Sequence, residues 1–378
     1  MTHVQTAIVV GGGIAGPVTA MALQRAGIDL DDPVRHVAEP VSAMIVQAWT
    51  GKRLAQFDGP SGKPIMHVVW RPDLYRALYD EATRRGIAIE HSHRFIDARE
   101  SADGVIARFS DDSTACADIL IGADGSRSTV RSMIDPTAPP PLYTGLLGLG
   151  GLTTRAGVDP TNANYRMIFG KKAFFGYEVS DEGQISWFAN LPHRDPLTLA
   201  QAREVSPEEW LRVLRNAFAA DQTSAAAIIA ATSPVELIVT GGLEIMPTAP
   251  VWSRGRSVIV GDAAHVPSPS SGQGASMAIE SAIELARCLR DLPYAQAFAA
   301  YETLRRDRVT RIIRLAARTN SHKAAGPLAR RVRDVIMPMA MKLAKPEKTA
   351  WQYNHHIDWD APATNTVNRR PRLTSGRA

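Results

Sequence analysis

The sequence has few cysteines and no long hydrophobic run. Cys116 and Cys288 are the only cysteines among 378 residues, so a disulfide framework is excluded and a reducing compartment, the cytoplasm, is expected. No run of 18 apolar residues occurs, which argues against a transmembrane helix and stable membrane insertion. The N-terminus also lacks a basic region before its apolar run, unlike a signal peptide.

The charge is unevenly spread along a chain of otherwise ordinary composition. Residues 301–378 contain 17 Lys+Arg and 6 Asp+Glu, a net charge of +11, whereas the remainder carries −6. Such a basic region can attract nucleic acid, lipid headgroups or phosphorylated cofactors. No aromatic interleaving or known nucleic-acid module accompanies it, so we favour a solvated helical face and expect no nucleic-acid partner.

A strand, a glycine-rich turn and a helix follow one another at the N-terminus. Ile8–Val10 is a short buried strand, Gly11-x-Gly13-x-x-Gly16 is the turn, and residues 15–26 have helical character. In this context the glycines allow a pyrophosphate to approach the backbone, and the helix N-terminus attracts its negative charge. The pattern predicts a dinucleotide site and leaves NAD and FAD open.

Two later segments also place an acidic residue after a buried strand. In "ADILIGADGSRSTVR" the strand leads to Asp124-Gly125. The carboxylate either accepts from a ribose hydroxyl or orders the surrounding loop, unless the pair is only a turn. In "VIVGDAAHVPSPSSGQGASMAIESA" the strand leads to Gly261-Asp262, and Asp262 is placed to accept from a ribitol or ribose hydroxyl. We interpret His265 in this segment as a structural loop histidine.

With these motifs the sequence resembles the FAD-dependent aromatic hydroxylases of the para-hydroxybenzoate hydroxylase type, which include the tetracycline-inactivating monooxygenases. The resemblance covers about residues 4–320, minus a gap. The glycine turn, the Asp-Gly pair and the "GDAAH…P…GQG" run occur in the family's order. Arg71 matches the family's R-x-x-L arginine, expected to reach the FAD phosphates, and "YETLRRDR" resembles its YExxR helix.

The resemblance implies an FAD-dependent monooxygenase that uses NAD(P)H and O₂ to hydroxylate a small organic substrate, aromatic or polyketide-like. NAD(P)H is expected as a transient reductant, because no second dinucleotide motif is present. The chemistry belongs to the cofactor, so we assign no catalytic residue and no metal. The expected cofactor-binding residues are Gly11, Gly13, Ile14, Ala15, Gly16, Arg71, Asp124, Gly125, Gly261, Asp262, Pro269, Gly272, Gly274 and Ala275.

The segment "ALQRAGIDLDDPVRHVAEP" departs from the family pattern. A second strand ending in an acidic residue should follow the first helix and bind the adenosine ribose. Here residues 27–30 run directly into Asp31-Asp32-Pro33, which indicates an internal deletion on the order of 40 residues by the family's spacing. Asp31, Asp32 or Glu39 could substitute, although none ends a hydrophobic strand. Ser268, Ser276 and Ser281 also stand where Pro, Asn and Asp are usual.

The predicted fold is α/β: a Rossmann-like FAD-binding domain of the para-hydroxybenzoate hydroxylase type, a β-sheet substrate domain and C-terminal helices. The FAD-binding domain is expected to comprise residues 1–40, 71–140 and 250–320, and the substrate domain residues 41–70 and 141–249. A C-terminal helix is expected within 321–360, where residues 323–345 would bridge the two domains, with a disordered tail over 361–378. Elements expected along the chain are a hairpin turning at Thr50-Gly51, a helix over 71–86, strands near 87–90, 105–109 and 119–121, and helices over 274–289 and 294–320.

Two functional questions stay open at this level. A related flavin halogenase or reductase is an alternative, disfavoured by the absence of a W-x-W-x-I-P motif, and so is a truncated, catalytically impaired product or non-enzyme. Six aromatic side chains of the sheet domain could line an aromatic pocket, although aromatic residues in strands are more often core. These are Phe169, Phe174, Phe175, Tyr177, Trp187 and Phe188.

Overall fold

A computed structural model describes residues 4–24, 38–59, 63–154, 156–323, 326–343 and 351–363. Its strands are β1 (Ala7–Val10), β2 (Ala38–Val41), β3 (Ala43–Ala48), β4 (Arg53–Asp58), β5 (Met66–Val69), β6 (Phe95–Glu100), β7 (Val105–Phe109), β8 (Thr114–Ala117), β9 (Ile119–Gly122), β10 (Leu142–Thr153), β11 (Asn164–Phe169), β12 (Phe174–Val179), β13 (Ile185–Pro192), β14 (Leu237–Ile245), β15 (Ser253–Arg254) and β16 (Ser257–Ile259). Its α-helices are α1 (Ala15–Leu23), α2 (Arg71–Arg84), α3 (Thr129–Ile134), α4 (Leu199–Glu204), α5 (Pro207–Phe218), α6 (Ala225–Ala231), α7 (Gly274–Asp291), α8 (Tyr294–Lys323) and α9 (Pro327–Leu343).

Strands from three distant parts of the chain form a four-stranded sheet in the order β1-β9-β16-β15. β9 lies between β1 and β16 and pairs with both in parallel. Ile119, Leu120 and Ile121 of β9 are fully buried, as expected for a central parallel strand covered on both faces. Side chains of α1, α2, α7 and α8 complete this first core.

A second sheet has seven strands in the order β14-β10-β13-β12-β11-β3-β4. Its pairs are antiparallel except for β3 with β11. Because side chains alternate along a strand, the sheet has two distinct faces. The outer face carries Phe175, Tyr177 and Trp187 and packs under α5 and α6 in a second core. The opposite, inner face carries Phe174 and Phe188.

Two small sheets complete the arrangement. β6, β7 and β8 form a three-stranded meander, and β2 pairs with β5 in an antiparallel ribbon. β5 is separated from α2 by Trp70 alone, so this ribbon leads directly to the N-terminus of α2.

Helix α8 links the two main sheets. Its 30 residues span about 45 Å at 1.5 Å per residue. Tyr301 and Ile312 lie in the first core, whereas the last residue, Lys323, donates to Asn190 of β13. We predicted that a helix over 323–345 would make this bridge. The bridge is instead α8, because α9 packs on β4 at the edge of the seven-stranded sheet.

Most predicted elements are confirmed. The hairpin is β3–β4, where Gly51 N donates to Ala48 O, and the helix over 71–86 is α2. The strands near 105–109 and 119–121 are β7 and β9, and the helices over 274–289 and 294–320 are α7 and α8. The predicted strand over 87–90 is wrong. Ile87 N donates to Ala82 O and closes α2, so the alternating isoleucines 87 and 89 pack on the first core without strand pairing.

The expected second parallel strand would lie along the outer edge of β1. Among the described residues, β1 pairs only with β9, and no strand runs along its other edge. The junction at residues 29–33, with Asp31 and Asp32, lies outside the described residues. Glu39 lies in β2, whose partner is β5, and its charge acts on Glu178 of the seven-stranded sheet. Glu39 therefore does not end a strand beside β1.

The segment over 351–363 packs on α7 and α8. Arg311 stacks on the Trp351 ring at 3.7 Å, Arg287 donates to Ala361 O, and Ala363 N donates to Asp291. Residues 364–378 lie outside the described part of the chain, and the first residues of the expected tail are packed. None of the described helices combines the length and apolarity needed to cross a membrane.

Leu214 tests the second core. It is fully buried in α5, so Leu214→Ala should lower the free energy of unfolding by about 2–5 kcal/mol, measured by urea denaturation. Leu142, at the start of β10, is 55% exposed, and Leu142→Ala should change stability by about 0.5 kcal/mol or less. Equal losses in both variants would contradict the burial of α5 against the outer face.

Candidate functional site

Three loops meet at one edge of the four-stranded sheet. The parallel pairing aligns Val10 of β1 with Gly122 of β9, and Ala123 N donates to Val10 O. Val260 N in turn donates to Gly122 O, which aligns the end of β16 with that of β9. The loops after β1, β9 and β16 therefore converge, and such an edge is where open α/β sheets bind ligands.

Two glycines of the first loop are required by close contacts. A Cβ at Gly11, where φ is +117°, would lie 2.4 Å from Ala123 O, and a Cβ at Gly16 would lie 1.9 Å from Gly11 O. These glycines let the turn pack on the loop after β9 and let α1 begin immediately. A Cβ at Gly13 meets no described atom within 4 Å, so the turn is open on that side.

Two of the helices that begin at this edge, α1 and α7, lack side-chain caps. The N-cap residues Ile14 of α1 and Gln273 of α7 provide no side-chain hydrogen bond, and neither helix has an acidic residue in its first turn. By contrast, Ser128 caps α3 and Ser206 caps α5. The free N–H groups of α1 and α7 thus give this edge a positive potential suited to phosphate or another oxyanion.

Asp262 and Arg71 lie within electrostatic reach of each other at this edge. Burial raises the pKa of the Asp262 carboxyl, and the positive charge of Arg71 opposes that rise. Arg71 is the first residue of α2, and Tyr75, one turn later, brings its hydroxyl close to Gly12 of the glycine turn. The predicted arginine therefore lies beside both the glycine turn and the loop after β16.

Asp124 orders its own loop. Its Oδ1 accepts from Ser128 Oγ at 2.5 Å and its Oδ2 accepts from Val130 N at 3.1 Å. Arg131 then ties this loop to the next by donating to Ser126 O and Ala263 O. Of the two interpretations left open, these contacts favour the structural one, and Gly125 follows as the turn residue with φ +82°.

The loop from β16 to α7 contains the remaining predicted residues. Gly261 lies against Ala15 of α1 and Ala278 of α7, which brings the two helix N-termini together. Pro269 begins a short 3₁₀ turn that ends before Gly272, and Gly272 N donates to Pro269 O. This turn delivers the chain to Gly274 and Ala275, the first residues of α7.

The surroundings of His265 favour the structural interpretation. It is fully buried, its Nε2 is 3.0 Å from Ser281 Oγ, and burial lowers the pKa of its imidazole to about 3. Ser281, where the family usually has Asp, also accepts from Arg305 Nε at 3.4 Å. Arg305 of the YExxR segment forms a 2.7 Å ion pair with Glu280, so this segment holds α8 against α7.

The six aromatic residues of the sheet domain divide between the two faces. Phe175, Tyr177 and Trp187 are second-core residues, whereas Phe169, Phe174 and Phe188 lie on the inner face. The core interpretation therefore holds for the outer three and also for Phe169 and Phe174, which are buried at 7% and 2% exposure, whereas Phe188 is half-buried. The inner face also carries polar groups that the sequence analysis missed.

These missed groups are Lys323, Asn190 and Glu178. Lys323 is 7% exposed and Glu178 is 9% exposed. Burial lowers the pKa of Lys323 to about 7, and burial followed by the charge of Glu39 raises the pKa of Glu178 to about 7. A single carboxylate in the apolar strand "FFGYEV" was a usable signal for Glu178. Lys323 gave none, because its partner Asn190 is 133 residues away in sequence.

Comparisons with known proteins identify what this arrangement resembles. A family model described as "FAD binding domain" matches residues 30–316. The FAD-dependent urate hydroxylase of Klebsiella pneumoniae is 28% identical over 347 residues, covering 81% of this chain and 87% of that protein. The 6-hydroxynicotinate 3-monooxygenase of Pseudomonas fluorescens is 30% identical over 324 residues, covering 81% and 80%. The crystal structure of Klebsiella pneumoniae HpxO complexed with FAD and uric acid has a TM-score of 0.75 at 23% identity, covering 90% of this chain and 93% of that one.

The predicted fold and resemblance are confirmed by these comparisons. The family match begins at residue 30, after the glycine turn and α1. The alignment to the urate hydroxylase has 347 positions but includes only 81% of the 378 residues of this chain. It therefore contains gaps where the urate hydroxylase has residues that this chain lacks.

The glycine turn yields a paired prediction. Gly16→Ala should lower the melting temperature of the cofactor-free protein by several degrees, because a clash with Gly11 O costs about 1–3 kcal/mol and each kcal/mol is about 2–4 °C. Gly13→Ala should leave the melting temperature nearly unchanged but weaken FAD binding, because its methyl group fills the open side of the turn. Circular dichroism and flavin fluorescence measure the two effects, and the reverse order of melting temperatures would contradict this geometry.

Proposed function

Because the chain belongs to the FAD binding domain family, which includes FAD-dependent hydroxylases and monooxygenases, we propose that it is an FAD-dependent monooxygenase. Its substrates are NAD(P)H, O₂ and a small organic molecule with an aromatic ring. One observation carries the assignment to FAD: a glycine turn, two uncapped helix N-termini and a half-buried carboxyl within the electrostatic influence of an arginine meet at one sheet edge.

The residues at this edge fit the parts of FAD. Gly11, Gly13 and Gly16, with the N–H groups of Ile14 and Ala15, would hold the pyrophosphate, and Arg71 would add a positive charge to it. Asp262 would accept from a ribitol hydroxyl, which Asp124 is less suited to do because both of its oxygens already accept hydrogen bonds. Gly272, Gly274 and Ala275 would stabilise negative charge at the far end of the cofactor.

Bound FAD supplies the redox chemistry, which takes electrons from NAD(P)H and delivers oxygen to the substrate. The chain's own residues bind and orient the reactants and exclude water. Because FAD supplies the chemistry and the chain supplies binding and orientation, no protein acid or base is required, and we assign none. NAD(P)H binding is proposed to be transient, because the sequence has a single dinucleotide motif.

The two main sheets belong to parts of the chain with different proposed functions. We propose that residues 1–40, 71–140 and 250–320 bind FAD and that residues 41–70 and 141–249 bind the substrate. The separate first and second cores support this division. Two free cysteines, one exposed and one buried, support a cytoplasmic location.

The rival functions have less support. The relatives cited above are hydroxylases and monooxygenases, and a halogenase motif is absent from the sequence. A catalytically impaired product is the second candidate, because one specific observation favours it: the open edge of β1 among the described residues. FAD content and NAD(P)H oxidation with oxygen uptake test the monooxygenase, and a purified protein without either would reject it.

Asp262 is the first residue to test. Asp262→Ala should weaken FAD binding about tenfold or more, since a hydrogen bond to a charged group contributes about 1.5–3 kcal/mol. Asp103→Ala removes an exposed carboxylate outside the site and should leave FAD affinity unchanged. Titration of the cofactor-free protein with FAD compares the two variants. Wild-type affinity in Asp262→Ala would remove Asp262 from the site.

The junction near residue 30 is the second test. If the ribose-binding strand is missing, the chain should bind FAD weakly and unfold early. Inserting a family-like strand and acidic residue between Leu30 and Asp31 should tighten FAD binding about tenfold or more and raise the melting temperature, through a closed sheet edge and an added ligand contact. A Gly/Ser insert of equal length is the control and should do neither. A parent chain that purifies yellow, with tightly held FAD and one sharp transition, would contradict the deletion.

A further inference from the structure

The inner face of the seven-stranded sheet contains a buried cation, Lys323, for which the described residues supply no counter-charge. The Lys323 ammonium donates to Asn190 Oδ1 at 2.6 Å and lies 3.8 Å from the Phe174 ring centroid and 5.5 Å from that of Phe188. Among the described groups no carboxylate acts on it, and burial is the only cause of its lowered pKa. An amide oxygen and two ring faces satisfy part of an ammonium group that has three donors.

The neighbouring cation on this face differs in that respect. Arg333 lies 4.2 Å from the Phe169 ring centroid and forms a 2.7 Å ion pair with Asp334. Its charge is therefore balanced within α9. Lys323 differs because a buried charge normally needs a partner of opposite sign, and the described structure supplies a polar, uncharged one.

A flat aromatic surface lies next to this ammonium. Phe188 is half-buried and rests over Gly176 of the adjacent strand, where a Cβ would come within 2.4 Å of the ring. The ring thus lies along the sheet, and because Phe188 is half-buried, part of it is accessible. Tyr165 extends the surface, with its ring 6.4 Å from Phe188 and inclined by 21°. A planar ligand can stack on such a surface.

A second polar group closes the far end. Glu178 follows Phe174 by four residues on β12, about 13 Å along the strand, and neighbours Tyr165. Its raised pKa leaves the carboxyl partly protonated near neutral pH, able to donate or accept a hydrogen bond. The face therefore has a cation, an aromatic surface and a carboxyl in line.

We propose that this inner face binds a planar aromatic anion, with the anionic group at the Lys323 ammonium and the ring against Phe188. The anionic group is a carboxylate or a ring oxyanion, since both accept from an ammonium in the same way. Asn190 positions the ammonium, and Glu178 contacts a polar substituent at the opposite end of the ring. This assignment deepens the proposed monooxygenase function and rests on it.

Binding of small probes tests the assignment directly. Benzoate and pentafluorophenolate are each compared with a neutral counterpart, benzamide and pentafluoroanisole, by calorimetry on the full-length protein. We expect the wild-type protein to bind at least one anion about tenfold more tightly than its neutral counterpart. A preference in the benzoate pair identifies a carboxylate as the recognised group, and one in the phenolate pair identifies a ring oxyanion.

Lys323→Met removes the charge and keeps the length of the side chain. We expect it to abolish the preference for the anion without lowering the melting temperature, because an apolar residue tolerates this site. Lys323→Arg should retain part of the preference. The control is Lys172→Met, since Lys172 is exposed and donates to the Asn216 carbonyl, and it should behave as the wild type.

Two results would overturn the proposal: equal affinities of the wild type for the anionic and neutral probes, or an undiminished preference in Lys323→Met. The calorimetry requires no turnover, so these results are separable from a failure of the proposed function. That failure would appear as absent FAD binding and absent NAD(P)H oxidation, whatever the probes do. In an active enzyme, Lys323→Met should raise KM for the anionic substrate far more than it lowers kcat.

Discussion

The parallel pairing of β1, β9 and β16 is the constraint on which the rest of the site depends. It joins residues more than 240 positions apart in sequence and fixes where their carboxyl ends lie. The glycine turn, the Asp124 loop and the Asp262 loop then meet at this edge. Gly11 and Gly16 matter because they allow this meeting, since a Cβ at either position would collide with backbone oxygen. Arg131 ties the later two loops together by donating to Ser126 O and Ala263 O.

The sequence predicted this edge well because its signals are local. A strand followed by glycines, or by an acidic residue and a glycine, is recognisable within about ten residues, and β9, α2, α7 and α8 follow the same logic. The strand expected near Ile87 failed because alternation alone does not supply a pairing partner. Lys323 could not be predicted, since its burial depends on β12 and β13 and on the path of a long helix. The aromatic residues of the sheet were ambiguous for the same reason, as a strand pattern does not say which face meets another layer.

A strand missing beside β1 would affect both the sheet edge and the site at its carboxyl end. In the described residues the first core is closed by α1, α2, α7 and α8 around β9, so the sheet keeps its centre with or without a strand beyond β1. An absent strand would leave the edge of β1 unpaired and remove a ribose contact, but the loops would still converge. A missing strand would therefore lower the affinity for FAD more than the stability of the fold, because stability depends on the whole core and ligand affinity on a few contacts.

The two titratable groups of the inner face oppose folding over pH ranges that overlap near neutrality. Glu178 has a raised pKa, so its stabilising effect is complete below the unfolded value near 4.5 and is lost as the pH rises through about 7. Lys323 has a lowered pKa, so stability falls as the pH decreases from its unfolded value near 10.5 towards about 7. Near neutral pH both groups therefore cost stability, as expected of residues kept for binding rather than for folding. An anion bound at Lys323 would raise its pKa, take up a proton and recover part of that cost, which couples substrate binding to the stability of the inner face.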